Sequence, residues 1–291
     1  MQIIFHLGTH CTDEERLVRT LLRNRGALAP HGVAVPAPGR YRTVLRDALV
    51  ALHGGIADRA AQEALLDSIL DQDDPGRVIF TNDYFMGLPL RAIGDSGLYP
   101  TAGRRAAALA NLFPDAETEF HLAIRNPATL VPALLARAPG TTYPALVGDT
   151  QPAALRWLPV IRRIAAQAPE SRVVVWCNED TPVIWPEVLR RVAGVPPDFA
   201  LEGEYDLAET LMTEAGFSRM TSFLQAHPPQ SISARRKILT AFLEKFHRPD
   251  SLTMEVPLPG WTDDLVAAIT DDYDRECDEI RRMARVEMIL P

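Results

Sequence analysis

The chain alternates short, unbroken apolar runs with longer segments whose apolar residues recur every three or four positions. The unbroken runs are residues 2–7 (QIIFHL), 77–81 (RVIFT), 118–124 (TEFHLAI) and 172–177 (RVVVWC). Runs of this length, bounded by polar residues, predict strands buried on both faces, as in a parallel sheet. The periodic segments predict helices. Residues 14–28 place Leu17, Leu21, Leu22 and Leu28 on one side, and residues 60–70 and 104–112 are rich in alanine and leucine. Residues 150–168 read as a helix kinked or broken at Pro159, and 185–192 as a helix stopped by Gly194. Residues 207–225 and 233–246 read as a helical pair joined by His227, Pro228 and Pro229. Thr262 is placed to cap a last helix whose Leu265, Ile269, Tyr273, Cys277, Ile280 and Ala284 share one face. The acids on its other face are expected to meet solvent. The proline-rich connections, 30–38 and 227–229, are too short to mark a domain boundary. The expectation is one α/β domain over residues 1–291, with a doubly wound, mainly parallel sheet, helices on both faces and a helical C-terminal part.

Composition narrows the function classes. At 291 residues, 47% hydrophobic and 23% charged, the chain has the make-up of a globular protein. Its net charge is −8, and residues 255–291, with ten acids against four bases, carry most of it. A broad nucleic-acid surface is therefore not expected, whereas the nearly balanced remainder leaves room for a small anionic ligand. Cys11, Cys177 and Cys277 are odd in number and far apart, so neither a disulfide framework nor a paired-cysteine zinc site is expected. No basic-flanked leader and no apolar run of membrane-spanning length stand out, which predicts a cytoplasmic protein without a membrane span. Lysine occurs only at positions 237 and 245, so the N-terminal half has no lysine to place on a phosphate.

The most informative stretch is residues 3–17, IIFHLGTHCTDEERL. A strand ends at Leu7, Gly8 permits a positive φ, and a helix is expected to begin near Asp13. A helix N-terminus at the C-terminal edge of a parallel sheet is a natural anion site, because its free N–H groups and partial positive charge face the ligand. Here the local chemistry opposes that layout. Residues 12–15 (TDEE) read as a capping box, with three carboxylates in the first turn. A phosphate there would meet like charges, each costing about 1 to 4 kcal/mol at roughly 4 Å. His6, His10 and Cys11 have a loosely metal-like look, but no further donor follows at ligand spacing, and no metal is expected. The acids beside Cys11 are expected to raise its pKa and make it a poor nucleophile.

Residues 5–36 (FHLGTHCTDEERLVRTLLRNRGALAPHGVAVP) resemble the start of bacterial sulfotransferase-family proteins. His6, Gly8, Thr12, Asn24, Arg25, Gly32, Val33 and Pro36 match in place. Weaker resemblances follow at VIFTNDYFMGLP, LAIRNPATL, VVVWCNEDTPVIWPEVLRRVAGV and WTDDLVAAITDDYDRECDEIRRM, scattered over most of the chain. The resemblance implies a P-loop-type fold and transfer of a sulfuryl group from the nucleotide PAPS to a hydroxyl or amine of a small molecule or glycan. It places the candidate nucleotide-binding residues at Gly8, Thr9, His10, Cys11, Thr12 and Arg125, and the candidate catalytic residues at Asp83, in the acidic base position, and His10. The family's loop lysine falls on Cys11, its glycine on Asp13, its hydroxyl pair on Glu14 and Glu15, and its 3′-phosphate serine on Ala133.

These departures remove the cation and the hydroxyls that would hold a phosphosulfate and stabilise its leaving phosphate. The first expectation is therefore a sulfotransferase-family protein with a degraded PAPS site, weakly active or non-catalytic, acting by binding a protein partner or another ligand. The alternative is an active PAPS-dependent enzyme using Arg125, backbone amides and Asp83. A third reading, a different P-loop-like enzyme such as a kinase, meets the same missing lysine. Arg125, Asp83, Glu179 and Asp180 each also have a plain structural reading, as a strand-end tie, a turn residue or a helix cap.

Overall fold

The computed structural model describes residues 1–71, 74–249 and 258–291. In chain order, β1 (Gln2–Gly8) leads to α1 (Arg16–Arg23), α2 (Arg25–Leu28), the two-residue β2 (Val33–Ala34), α3 (Pro38–Leu52), α4 (Arg59–Ile69) and β3 (Arg77–Thr81). A small hairpin of β4 (Ile93–Gly94) and β5 (Gly97–Leu98) precedes α5 (Ala102–Ala110) and β6 (Glu117–Ile124). Then come α6 (Pro127–Ala136), α7 (Tyr143–Val147), α8 (Leu158–Gln167), β7 (Arg172–Cys177) and α9 (Thr181–Ala193). The chain finishes with α10 (Asp206–Leu211), α11 (Glu214–Ala226), α12 (Ile232–Phe246), α13 (Asp263–Arg281) and β8 (Val286–Ile289).

Six strands form one sheet in the order β2-β3-β1-β6-β7-β8, and every pairing is parallel. The strands that the apolar runs predict occupy its middle. Alternate side chains leave opposite faces, so each run feeds two cores. On one face Phe5, Phe80, Phe120 and Val175 pack with Tyr41 of α3, Leu109 of α5 and Ile161 of α8. On the other, Ile4, Ile79, Val174 and Trp176 pack with Leu17 and Leu21 of α1 and Trp185 and Leu189 of α9. Both faces are covered, and the α/β, doubly wound expectation holds. A third cluster, Met212, Met220, Leu224 and Leu239, joins α10, α11 and α12. No helix among the described residues is long and apolar enough to cross a membrane.

Several element expectations need correction. The first helix begins at Arg16, not near Asp13, because Glu14 and Glu15 have φ of 49° and 64°, outside helical geometry. Thr12 does not cap it: its hydroxyl donates to the Thr9 carbonyl (2.7 Å), and Asp13 accepts from the Leu17 N–H instead (3.0 Å). That helix also breaks at Asn24, whose amide donates to the Thr20 and Glu202 carbonyls (2.8 Å each). Pro159 kinks nothing, since it lies in the first turn of α8, where its missing N–H has no helical partner to lose. The segment 207–225 is two helices, separated where Met212 bridges His247. Helices α3 and α6 and the edge strands β2 and β8 lie outside the predicted elements. The acids of α13 are not all solvated: Glu276 is 1% exposed and accepts from the N–H groups of Trp157 (2.9 Å) and Leu158 (3.1 Å), so it caps α8. Gly194 ends α9 at φ 70°, and Thr262 caps α13, as expected.

Candidate functional site

Parallel pairing sends the C-terminal ends of β1, β3, β6 and β7 to one edge of the sheet. The central position of β1, between β3 and β6, puts its loop where connections diverge to either side. Around this loop lie Asp83 after β3, Arg125 after β6 and Glu179 after β7.

The loop leaves β1 at Gly8, whose φ of 95° and close approach to Asp83 suit glycine: a Cβ there would lie 3.1 Å from the Asp83 Cβ. Thr9 is buried, and its hydroxyl donates to the Ala123 carbonyl of β6 (3.0 Å). His10 is fully buried, and its ring stacks on Tyr99 with centroids 5.7 Å apart. The His10 backbone N–H donates to the Tyr99 hydroxyl (3.3 Å), the hydroxyl also meets Nδ1 (3.0 Å), and Nε2 lies 3.1 Å from the Gly87 carbonyl. One assignment satisfies all three contacts: Tyr99 donates to Nδ1, and Nε2–H donates to Gly87. His10 is then a neutral imidazole. Burial pushes its pKa below 6.5, against the opposing pull of Asp83.

Arg125 lies under the loop, 9% exposed. Its Nε donates to the Thr129 hydroxyl (3.0 Å), and a terminal nitrogen donates to the Cys11 carbonyl (2.6 Å). Burial lowers its pKa, with Cys11, Glu179 and Glu14 acting the other way. Trp157 completes this corner by donating its indole N–H to the Arg125 carbonyl (2.7 Å). Asp83 pairs with Arg137 (3.1 Å), a residue at the end of α6 that no sequence signal singles out. The Cys11 thiol lies near Arg137 as well. Burial alone would lower the Arg137 pKa, but Asp83 and Cys11 outweigh it and raise it. Burial raises the Cys11 pKa, and the nearby Arg137 and Arg125 only partly offset that effect. Burial thus exceeds the neighbouring acids as the cause of the expected rise.

The three loop carboxylates part company. Asp13 turns inward to cap α1, while Glu14 and Glu15 are exposed and Glu15 pairs with Arg42 of α3 (2.6 Å). On the β7 side, Glu179 accepts from the Asn126 backbone N–H and from the Tyr273 hydroxyl (2.9 Å each), tying β6, β7 and α13 together. The structure thus gathers Gly8, Thr9, His10, Cys11, Thr12, Asp83 and Arg125 at one sheet edge. It adds Tyr99 and Arg137, which only the tertiary fold brings there. Among the described residues, no group of three His, Cys, Asp or Glu side chains converges as a metal site would require.

No family model, curated protein or solved structure matches the chain. The sulfotransferase resemblance therefore rests on the quoted residues alone.

Proposed function

We propose that this is a sulfotransferase-like α/β protein whose first loop does not take PAPS and which acts by binding rather than by sulfuryl transfer. One observation carries this reading: three donor groups around the loop already serve protein acceptors. The His10 N–H is engaged by Tyr99, the Leu17 N–H by Asp13, and the Arg125 guanidinium by the Cys11 carbonyl and Thr129. A nucleotide would have to displace these bonds while meeting the inward-turned Asp13 carboxylate, with no lysine in the N-terminal half to offset its charge. Asp83, paired with Arg137, and His10, buried with both ring nitrogens engaged, serve in this reading to shape the loop.

Calorimetry with PAP, the desulfated nucleotide, tests the proposal. No heat of binding is expected at millimolar PAP, and Arg125→Ala should lower the melting temperature without changing any nucleotide titration. Micromolar PAP binding that disappears in Arg125→Ala would overturn it. That outcome would favour the alternative, a PAPS-dependent enzyme with Asp83 as base and a small molecule or glycan as acceptor.

A further inference from the structure

A second feature lies beside the loop and is independent of whether the loop takes a nucleotide. A cavity of about 790 Å³ opens between α3, the turn that follows β3, and α5. This volume is typical of a small-molecule site. Its floor is apolar, formed by Phe85 and Leu109 with Leu49 at one side, and Tyr84 and Leu88 stand at its mouth. Both mouth residues are unusually open for their type, at 48% and 53% exposed, and Leu90 just beyond them is 52% exposed.

The charges on the walls all have one sign. Arg42, Arg46, Arg104 and Arg105 line the cavity, and no carboxylate among the described residues does. Two of the four are committed elsewhere: Arg42 pairs with Glu15 and Arg46 with Asp47. Arg104 and Arg105 form no ion pair among the described residues. The Nε of Arg105 donates only to the Thr101 hydroxyl (3.1 Å), and its guanidinium lies against Gly87, where a Cβ would be 3.4 Å away. Burial and the like charges of Arg104 and Arg91 lower the Arg105 pKa, so an anion at this position would relieve a repulsion within the fold. Forked guanidinium groups bind carboxylate or phosphate oxygens in pairs, and an apolar floor beside them selects for an attached hydrocarbon body.

We propose that this cavity binds a small amphiphilic anion, with its phosphate or carboxylate held by Arg104 and Arg105 and its aryl or acyl body laid over Phe85, Leu109 and Leu88. Isothermal titration with 1-naphthyl phosphate tests it, with 1-naphthol and inorganic phosphate as half-ligands. One-site binding at least tenfold tighter than either half-ligand is expected. The double variant Arg104→Ala/Arg105→Ala, at exposed positions, should weaken binding at least tenfold with its melting temperature retained. Leu88→Ser should weaken it severalfold, and Arg40→Ala, an arginine of α3 outside this cavity, should leave it unchanged. Equal affinity for 1-naphthyl phosphate and inorganic phosphate would overturn the proposal. Equal loss in Arg40→Ala would do so as well, because binding would then be a general effect of surface charge. Cosedimentation with phosphatidylglycerol vesicles, without saturable 1-naphthyl phosphate binding, would also overturn it, by making the patch a membrane-facing surface.

Discussion

Glu276 is an acid of a charged helix that the tertiary fold turns inward. Its two carboxylate oxygens serve the backbone N–H groups of Trp157 and Leu158, and Arg156 lies 3.0 Å away as counter-ion. Removing the carboxylate would leave two buried donors without an acceptor, so Glu276→Ala should destabilise the protein by about 3 kcal/mol. Glu276→Gln, which keeps one acceptor oxygen, should cost about half as much, and urea unfolding midpoints would separate the two. Asn24 does similar work at the end of α1. Its side chain donates to the Thr20 and Glu202 carbonyls and accepts from the Glu202 N–H (2.8 Å), pinning a distant loop to the helix end. Asn24→Ala should lower stability by about 2 kcal/mol. A smaller loss in the same unfolding experiment would mean that water replaces the clamp.

Helix α5 packs against α8 so closely that residue 103 has no room for a side chain. A Cβ on Gly103 would lie 2.4 Å from the Arg163 carbonyl oxygen, which is backbone and cannot rotate away. In an open helix, replacing glycine by alanine would stabilise by up to about 1 kcal/mol. Here overpacking of about 1 to 3 kcal/mol opposes that gain, and the helices would have to separate. Gly103→Ala should therefore lower the melting temperature by several degrees, and an increase would show that α5 shifts without cost. Since α5 also supplies Arg104, Arg105 and Leu109 to the cavity, this contact fixes their position relative to α8. At the opposite border of the sheet, α13 docks through Tyr273 onto Glu179 and the Ile124 carbonyl, and Cys277 meets Cys177 at 3.5 Å as a pair of free thiols.

Across the whole molecule, three histidines are buried in the sheet or its first loop: His6, His10 and His121. Burial lowers the pKa of each, and that of His121 falls to about 4 despite its hydrogen bond to Glu119 (2.9 Å). For Glu119, burial would raise the pKa, but hydrogen bonds from His121 and Arg191 outweigh it and hold the carboxyl far below its usual range. The folded protein thus keeps these imidazoles neutral, while the unfolded chain protonates them below about pH 6.5. Stability is fully present above that pH, falls as the pH drops toward 4, and levels off for His121 once the folded form takes up its proton. Unfolding free energies measured between pH 7 and 4 should show the decline. His121→Gln, whose amide can still donate to Glu119 but cannot be protonated, should flatten part of it; an unchanged slope would reassign the effect to His6 and His10.

Four central strands, the final capped helix and the glycine stop of α9 were legible in the sequence because each rests on a local rule. An unbroken apolar run must be covered on both faces, and Thr262 and Gly194 act on their own helix ends. The gathering of Gly8, Thr9, Cys11, Asp83 and Arg125 at one edge was legible in outline too, since parallel strands deliver their following loops to the same side. What each group does there was not. Whether Arg125 faces a ligand or the Cys11 carbonyl, whether Glu15 closes the loop or turns to Arg42, and whether Tyr99 takes the His10 N–H all depend on partners remote in the chain. The edge strands β2 and β8 were hidden for the same reason: they are short, and their place is set by the strand already waiting beside them. Local pattern was enough to mark the buried segments and the caps that Thr262 and Gly194 place on their own helices. Which polar groups meet, the distant cap of Glu276 on α8 included, was left to the folded chain, because hydrogen bonds and ion pairs act over a few ångströms between residues that local pattern cannot bring together.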